Sequence, residues 1–400
     1  MAPENRADPY PFYTWLRDND PVRHAVDGSW IITRYADAAA LLRDHRVSTN
    51  PAWLREGAVQ GAEHHPIRQV GTSLMMFLDP PDHTRLRGLV SKAFTPKVVD
   101  GMRGTVQRLV DGLLDDVAAR GDDEIDIVAD LGYPLPVAVI CDLLGVPPFD
   151  HERFRRLSSD ASRLLDGGAL DPASQQKGIV AGMELFQYFT DLVEQRRPDA
   201  HQRADLLSAM IAAEEAGDRL THPELITTAT LLFVAGHETT TNLIGNAVLA
   251  LLRHPAELAR LRAGPDLIRT AVEEFLRYDS PVQFTARITR EDVEVGAGAH
   301  RQVIPAGEQL IIVVGAANHD PAQFPGGDRL DIGRPLEHNR HLSFAAGPHF
   351  CLGASLARLE AQLAVSTLLL RFDHLELLTT RPEYREHFVL RGVKELRARV

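Results

Sequence analysis

The sequence predicts a mostly α-helical chain with a small β-rich lobe. Two observations carry that expectation. Apolar residues recur with a helical period through most of 83–253 and again over 354–371, whereas β-like stretches are short and lie in 285–314 and the tail. No segment has the composition of a flexible linker, and there is no repeat or low-complexity run, so 1–400 reads as one domain. A chain of 400 residues, 44% hydrophobic and 24% charged, is neither disordered nor fibrous.

Residues 30–33 read as a strand, followed by a helix over 36–43. Pro51, Gly57, Gly61, Pro66 and Gly71 make 50–79 irregular. Helices are predicted over 83–94, 97–119, 134–144, 149–165 and 173–195, the last two separated by Gly167, Gly168 and Pro172. Another helix opens at Thr221-His222-Pro223, where proline suits the first turn, and runs to Arg253. Strands follow over 285–289, 293–295, 303–304 and 310–314, with a hairpin turn at 296–302. A proline-rich loop fills 318–341 and a last long helix spans 354–371. Strand-like pieces lie near 374–379 and 386–399.

The formal charge of −12 argues against nucleic-acid binding. The first residues lack a basic start followed by an apolar stretch, and no uninterrupted apolar run reaches membrane-spanning length. A cytoplasmic protein without a membrane anchor is expected. The two cysteines, Cys141 and Cys351, stand far apart in different contexts, which suits a reducing compartment better than a disulfide. Cys141 lies in an apolar helical run and reads as core. Residues 85–108 carry six basic residues against one acid, a local patch suited to an acidic partner or simply to a solvated helix face.

Cys351 lies in Phe344-Ala345-Ala346-Gly347-Pro348-His349-Phe350-Cys351-Leu352-Gly353, just before the last helix. A lone cysteine more often fills space. Here glycines flank the thiol, backbone N–H groups can reach it, and a helix N-terminus lies close behind, which are the needs of a metal-ligating thiolate. The 223–253 helix is about 45 Å long. Its middle is apolar on every face, so it is buried through the centre. Gly236-His237-Glu238-Thr239-Thr240-Thr241 then breaks the apolar run and offers a place to bend. A buried Glu238 needs a partner, and Glu238 with Thr239 makes a plausible proton-delivery pair. Glu274 and Arg277 stand at i and i+3 of a helix, a common pairing by itself. His83 and Arg87 share one helix face at i and i+4, and Arg287 lies in a strand; these donors suit carboxylates or are plain exposed bases.

In this order the motifs resemble the cytochrome P-450 family of haem–thiolate monooxygenases, over nearly the whole chain. Phe344, Gly347, His349, Cys351 and Gly353 match its cysteine loop, and Ala235 to Thr240 its oxygen-activation segment. Glu274 and Arg277 match its Glu-x-x-Arg motif, and Asn318-His319-Asp320-Pro321 with Phe324 and Asp331 its meander. The resemblance implies a triangular helical fold around haem b, with Cys351 as axial ligand of the iron. It implies that His83, Arg87 and Arg287 hold the propionates, and that Glu274 and Arg277 brace the cysteine loop. Glu238 and Thr239 would relay protons to dioxygen. Electrons would come from NAD(P)H through a ferredoxin reductase and a ferredoxin docked near the 85–108 patch and His349. Ala345 departs from the glycine common at its position, and Glu238 replaces an aspartate.

By the same analogy the substrate meets 60–78, 158–185, 231–239 and the tail, with Leu232, Val234, Ala235, Val282, Gln283, Phe284 and Phe388 as pocket residues. These favour a bulky, largely apolar molecule with some oxygen functions, such as a polyketide, macrolide, terpenoid or steroid-like skeleton of bacterial secondary metabolism, hydroxylated or epoxidised by a monomer. The glycine pair at 167–168 suggests a lid. Three other readings remain: a peroxygenase, an oxidase that couples or desaturates a carrier-tethered substrate, and a non-catalytic haem sensor.

Overall fold

The computed structural model describes residues 3–58, 74–147, 151–169, 171–217 and 220–400. Helices dominate, as expected. The central helix, His222–Arg253, begins at Thr221, whose side chain accepts from Glu224 N–H while the Glu224 carboxylate takes the Thr221 N–H. It is buried on nearly every face among Pro134–Leu144, His151–Ser162, Pro172–Arg196, Ile268–Tyr278 and Ala354–Arg371. It stays continuous through 236–242. Thr239 Oγ1 bonds back to Ala235 O at 3.3 Å without opening the helix.

Strands β1 (Val22–His24), β2 (Trp30–Ile32), β3 (Val47–Ser48), β5 (Phe284–Thr289) and β8 (Gln309–Val313) form one sheet in the order β1-β2-β8-β5-β3. Only β2 and β8 run parallel. The register of β5 on β8 sets Arg287 opposite Leu310. Strands β4 (Glu124–Asp126), β9 (Glu376–Leu377) and β10 (Arg397–Arg399) form a second sheet, and β6 (Val293–Val295) with β7 (Gln302–Ile304) makes the predicted hairpin.

Some expectations change. The predicted 97–119 helix is two, Pro96–Gly101 and Arg103–Arg120, meeting at Met102. Leu206–Glu215 was not foreseen because its first half is almost uniformly apolar and shows no period; Asp205 caps it through Ser208 N–H at 2.9 Å. One stretch, Ile127–Leu144, is apolar and long enough to cross a membrane by length and composition, against the sequence expectation. It contains Asp130 and Asp142, and 67% of it is buried in the protein, as in a core helix. Cys141 is buried there. The 85–108 patch is smaller than its sequence suggests. Arg85 pairs with Glu224 and Asp82, and Arg87 turns toward the cysteine loop, leaving Lys92, Lys97, Arg103 and Arg108 exposed.

Glu274 and Arg277 are both fully buried. Arg277 uses every N–H it has: Nε and Nη2 donate to Glu274 at 2.8 and 2.7 Å, Nη1 to Asn318 O and Gly327 O at 3.0 and 2.7 Å, and Nη2 also to Arg329 O at 3.0 Å. Glu274 also accepts from Asp331 N–H, Arg334 Nε and Asn339 Nδ2 at 2.9, 3.1 and 3.2 Å. The pair therefore pins the loop 318–339 to the brace helix, Ile268–Tyr278. Beside it, Glu273 joins the brace helix to His341 Nε2 (3.1 Å) and to Arg358 of the last helix (2.6 and 2.8 Å). Burial alone would raise the Glu273 carboxyl, but Arg358 and His341 outweigh it and hold the group down to about 2.

Two predictions follow from these contacts. Arg277→Met leaves a buried carboxylate short of its main partner and should cost about 3–5 kcal/mol in urea denaturation; a loss below about 1 kcal/mol would deny the brace its role. Glu273 ionises in the fold well below its ordinary 4.5, so its stabilisation is complete above that value and disappears as pH falls toward 2. Wild type should therefore lose about 3 kcal/mol more than Glu273→Gln between roughly pH 5 and pH 2, read as the shift in urea midpoint.

Candidate active site

The cysteine loop is held from three sides. Asn318 Oδ1 accepts from Leu342 N–H at 2.8 Å, and Asn318 Nδ2 donates to Ser343 Oγ at 2.9 Å. Ser343 Oγ donates in turn to Leu276 O of the brace helix at 2.7 Å. The Arg358 guanidinium lies 4.5 Å from the centre of the Phe344 ring. Cys351 N–H then donates to Phe344 O at 2.8 Å, closing the loop on itself. Gly347 has φ +71°, and a Cβ there would fall 2.4 Å from Leu42 O, so only glycine fits. Gly353 differs: its φ is −83° and a Cβ would meet nothing, so neither conformation nor crowding explains it. Its N–H reaches the Cys351 sulfur.

Cys351 is surrounded by protein yet its own surface remains accessible, which places it at the floor of a concavity. Burial raises its thiol, opposed by the Gly353 N–H and by the charges of Arg87 and Arg358. Around it gather bases, with Asp79 the acid that acts on His83. The rings of His83 and His349 lie 4.1 Å apart. Arg87 donates to Phe350 O. Arg287 is buried and finds only Thr285 Oγ1 and Ala286 O, at 2.8 and 2.7 Å. Burial without a carboxylate lowers Arg287 to about 10, and burial beside His83, Arg287 and Arg87 lowers His349 to about 3. Burial and then Arg87 lower His83. Among the described residues none of the four has an ion pair with a carboxylate. This donor set fits a group that brings its own negative charges, such as the propionates of a haem, next to a thiol that can ligate its iron.

On the central helix Ala235 is exposed amid buried neighbours, and Leu231, Val234 and Thr239 are partly buried beside it. Leu232 packs in the main core. Glu238 is buried, with Oε2 accepting from Arg385 Nη1 at 2.9 Å and Oε1 without a partner. Arg385 is the partner the sequence required but did not name, because it lies in the tail 147 residues away. His237 ties this helix to His151–Ser162 through Ser158 Oγ at 2.8 Å and accepts no role at Glu238 beyond a 3.8 Å approach. Burial lowers it, which keeps it neutral.

Gln283, Phe284 and Phe388 line a cavity of about 270 Å³ beside the tail hairpin, with Tyr13, Arg163 and Asp166. Leu232, Val234, Ala235 and Val282 do not line it. Gln283 Nε2 is already bonded to Ser280 O at 2.7 Å. Of the other segments expected to meet substrate, 60–73 lies outside the described residues, while 163–169 forms a 3₁₀ turn between two helices. Glu273, His341, Ser343 and Arg358 were not singled out from sequence, since none stands in a pattern that differs from an ordinary surface, and Asn318 was named only as part of the meander.

Comparison with known proteins agrees with this geometry. A family model described as Cytochrome P450 matches residues 56–397. The chain is 39% identical to the biotin biosynthesis cytochrome P450 of Bacillus subtilis (strain 168), covering 97% of this chain and 95% of that one. It is 40% identical to the vitamin D(3) 25-hydroxylase of Pseudonocardia autotrophica, covering 97% and 93%. Among solved structures, P450BioI in complex with an acyl carrier protein ligated to hexadec-9Z-enoic acid superposes with a TM-score of 0.89 at 38% identity, over the full length of both chains. The chain belongs to the cytochrome P450 family of haem monooxygenases.

Proposed function

We propose that the chain inserts one atom of dioxygen, by hydroxylation or epoxidation, into a bulky and largely apolar small molecule. The observation that carries the site assignment is the accessible Cys351 thiol in a concavity ringed by His83, Arg87, Arg287 and His349, none of them ion-paired with a carboxylate among the described residues. Cys351 would ligate the haem iron, and the bases around it would hold the propionates. Phe344, Gly347 and Gly353 shape the loop, and Ala235 offers the small side chain that lets a flat group approach the central helix. Haem bound through a thiolate supplies dioxygen activation, one atom entering the substrate and the other leaving as water.

The chain's own residues do the rest. Thr239 Oγ1 bonds only to Ala235 O at 3.3 Å, a long bond that its hydroxyl can exchange for one to a ligand. Glu238 stands next to it, buried, with one oxygen unpartnered. Together they pass protons from the protein to the reacting oxygen. Glu274 and Arg277 brace the loop and touch neither substrate nor cofactor. Electrons come from NAD(P)H through a reductase and a ferredoxin-like protein, which meets the exposed Lys92, Lys97, Arg103 and Arg108 beside the cysteine loop. The protein works as one cytoplasmic domain and as a monomer. The name of the Pseudonocardia hydroxylase supports hydroxylation of an apolar skeleton, in keeping with a role in bacterial secondary metabolism. The acyl-carrier complex of P450BioI supports a second reading, in which the substrate arrives tethered to a carrier.

Cys351→Ser should abolish the strongly red-shifted absorption band of the reduced carbon-monoxide complex; a mutant that keeps it would refute the thiolate assignment. Thr239→Ala should lower product formed per NAD(P)H consumed by at least about tenfold, the electrons leaving as peroxide or water. Unchanged coupling would remove Thr239 from proton delivery.

A further inference from the structure

The cavity beside the tail hairpin combines an apolar wall with incompletely used guanidinium donors. On the apolar side Phe284 and Phe388 stack with ring centres 4.2 Å apart and planes 6° from parallel, next to Tyr13 and Leu390. On the polar side are Arg6, Arg163, Arg385, Arg391 and His387 with Asp166, Asp171 and Glu386. Two of the acids are already engaged, while Glu386 is exposed to solvent and forms no ion pair among the described residues. Asp166 Oδ1 accepts from Phe388 N–H and Val389 N–H, both at 2.8 Å, and Oδ2 lies 3.3 Å from His387 Nδ1. Asp171 caps Pro172–Arg196 through Ala173 N–H and Ser174 N–H, both at 3.0 Å. Arg391 is engaged too, on Asp279 and the carbonyls of Arg6 and Ala7.

Besides Arg6, two guanidiniums are incompletely used. Arg163 forms no ion pair among the described residues, and its Nε is buried without a hydrogen-bond partner. Arg385 gives one N–H to Glu238, and its side chain makes no other hydrogen bond among the described residues. Guanidinium donors in a partly enclosed site select planar anions that accept two bonds at once. The stacked phenylalanines select an apolar body.

We infer that the substrate is an apolar molecule bearing a free carboxylate, that Arg163 and Arg385 hold this carboxylate, and that it competes with Glu238 for Arg385. The inference deepens the proposed monooxygenase reading and rests on it for the role of Glu238. The competition links substrate binding to proton supply. A carboxylate that draws Arg385 away leaves Glu238 buried without its counter-charge. His237, 3.8 Å from Glu238, is lowered by its burial. A buried carboxyl without a cation takes up a proton that it can pass on. An acyl thioester on a carrier has no free carboxylate and would leave the Arg385–Glu238 pair intact.

Calorimetry on the haem-loaded protein with dodecanoate and with dodecanol, at one pH and one salt concentration, tests this. Dodecanoate should bind at least about tenfold more tightly than dodecanol. Arg163→Leu should remove most of that preference while leaving dodecanol binding unchanged. Arg385→Lys, which keeps the charge but not the fork, should retain part of it, and the double variant Arg385→Gln/Glu238→Gln, which strands no buried charge, should lose it. Equal affinity for acid and alcohol in the wild type, or an unchanged ratio in Arg163→Leu, overturns the inference. The reduced carbon-monoxide spectrum of the same sample reports separately on the haem–thiolate reading, so either can fail alone.

Discussion

The fully buried ion pair between Glu274 and Arg277 is the constraint on which the site depends. Taking two charges out of water is costly unless every donor and most acceptor positions are used. Here all five Arg277 N–H groups have acceptors, and three of those acceptors are backbone carbonyls of Asn318, Gly327 and Arg329. The pair can therefore be satisfied only when the 318–329 backbone has one conformation. Asn318 carries that constraint onward, because its side chain fixes Leu342 N–H and Ser343 Oγ while its carbonyl is held by Arg277. From Ser343 the chain enters Phe344, whose carbonyl holds Cys351 N–H. The Cys351 thiol is thus positioned by an ion pair that it never touches.

Buried cations in this protein fall into two kinds, and the difference locates the chemistry. Arg277 is saturated by Glu274 and carbonyls, and Arg391 is engaged by Asp279 and two carbonyls; burial opposes the charge of Arg391, but Asp279 restores it. Arg287 is equally buried and has only a hydroxyl and a carbonyl, so its charge is destabilised. A fold that keeps a cation in so poor a setting gains nothing from it alone. The arrangement makes sense when the missing anion belongs to a bound group. Arg163 and Arg385 repeat the pattern more mildly at the tail cavity, the anion site inferred above.

Features confined to one short segment were legible in the sequence. The cysteine loop, the Glu238-Thr239 pair, the Glu274–Arg277 spacing and the hairpin at 296–302 all survive in the structure, because each depends on residues a few positions apart. What was not legible depends on distant partners. Arg385 reaches Glu238 from the tail, and Asp166 reaches Phe388 and Val389 across 222 and 223 residues. Glu273 was hidden by its neighbour, since one acidic residue before a recognised motif carries no pattern of its own. The 85–108 patch was overestimated for the same reason: counting charges cannot see that Arg85 is neutralised by Glu224 on another helix.

Ala345 shows how these constraints combine. Its φ is +57°, the left-handed region, where an L residue costs about 1–2 kcal/mol relative to glycine. Its N–H is held by Leu342 O at 2.8 Å, and the next turn is wedged where Gly347 meets Leu42 O. Its methyl lies against the cluster formed by Leu41, Leu42 and Leu342, so part of the cost is returned as packing. Strain of this size persists only where the surroundings over-determine the backbone. The contacts that run from Arg277 through Asn318 and Ser343 do so here. The alanine is therefore compatible with a working cysteine loop because the brace, and not the local sequence, sets the path of the chain into Cys351.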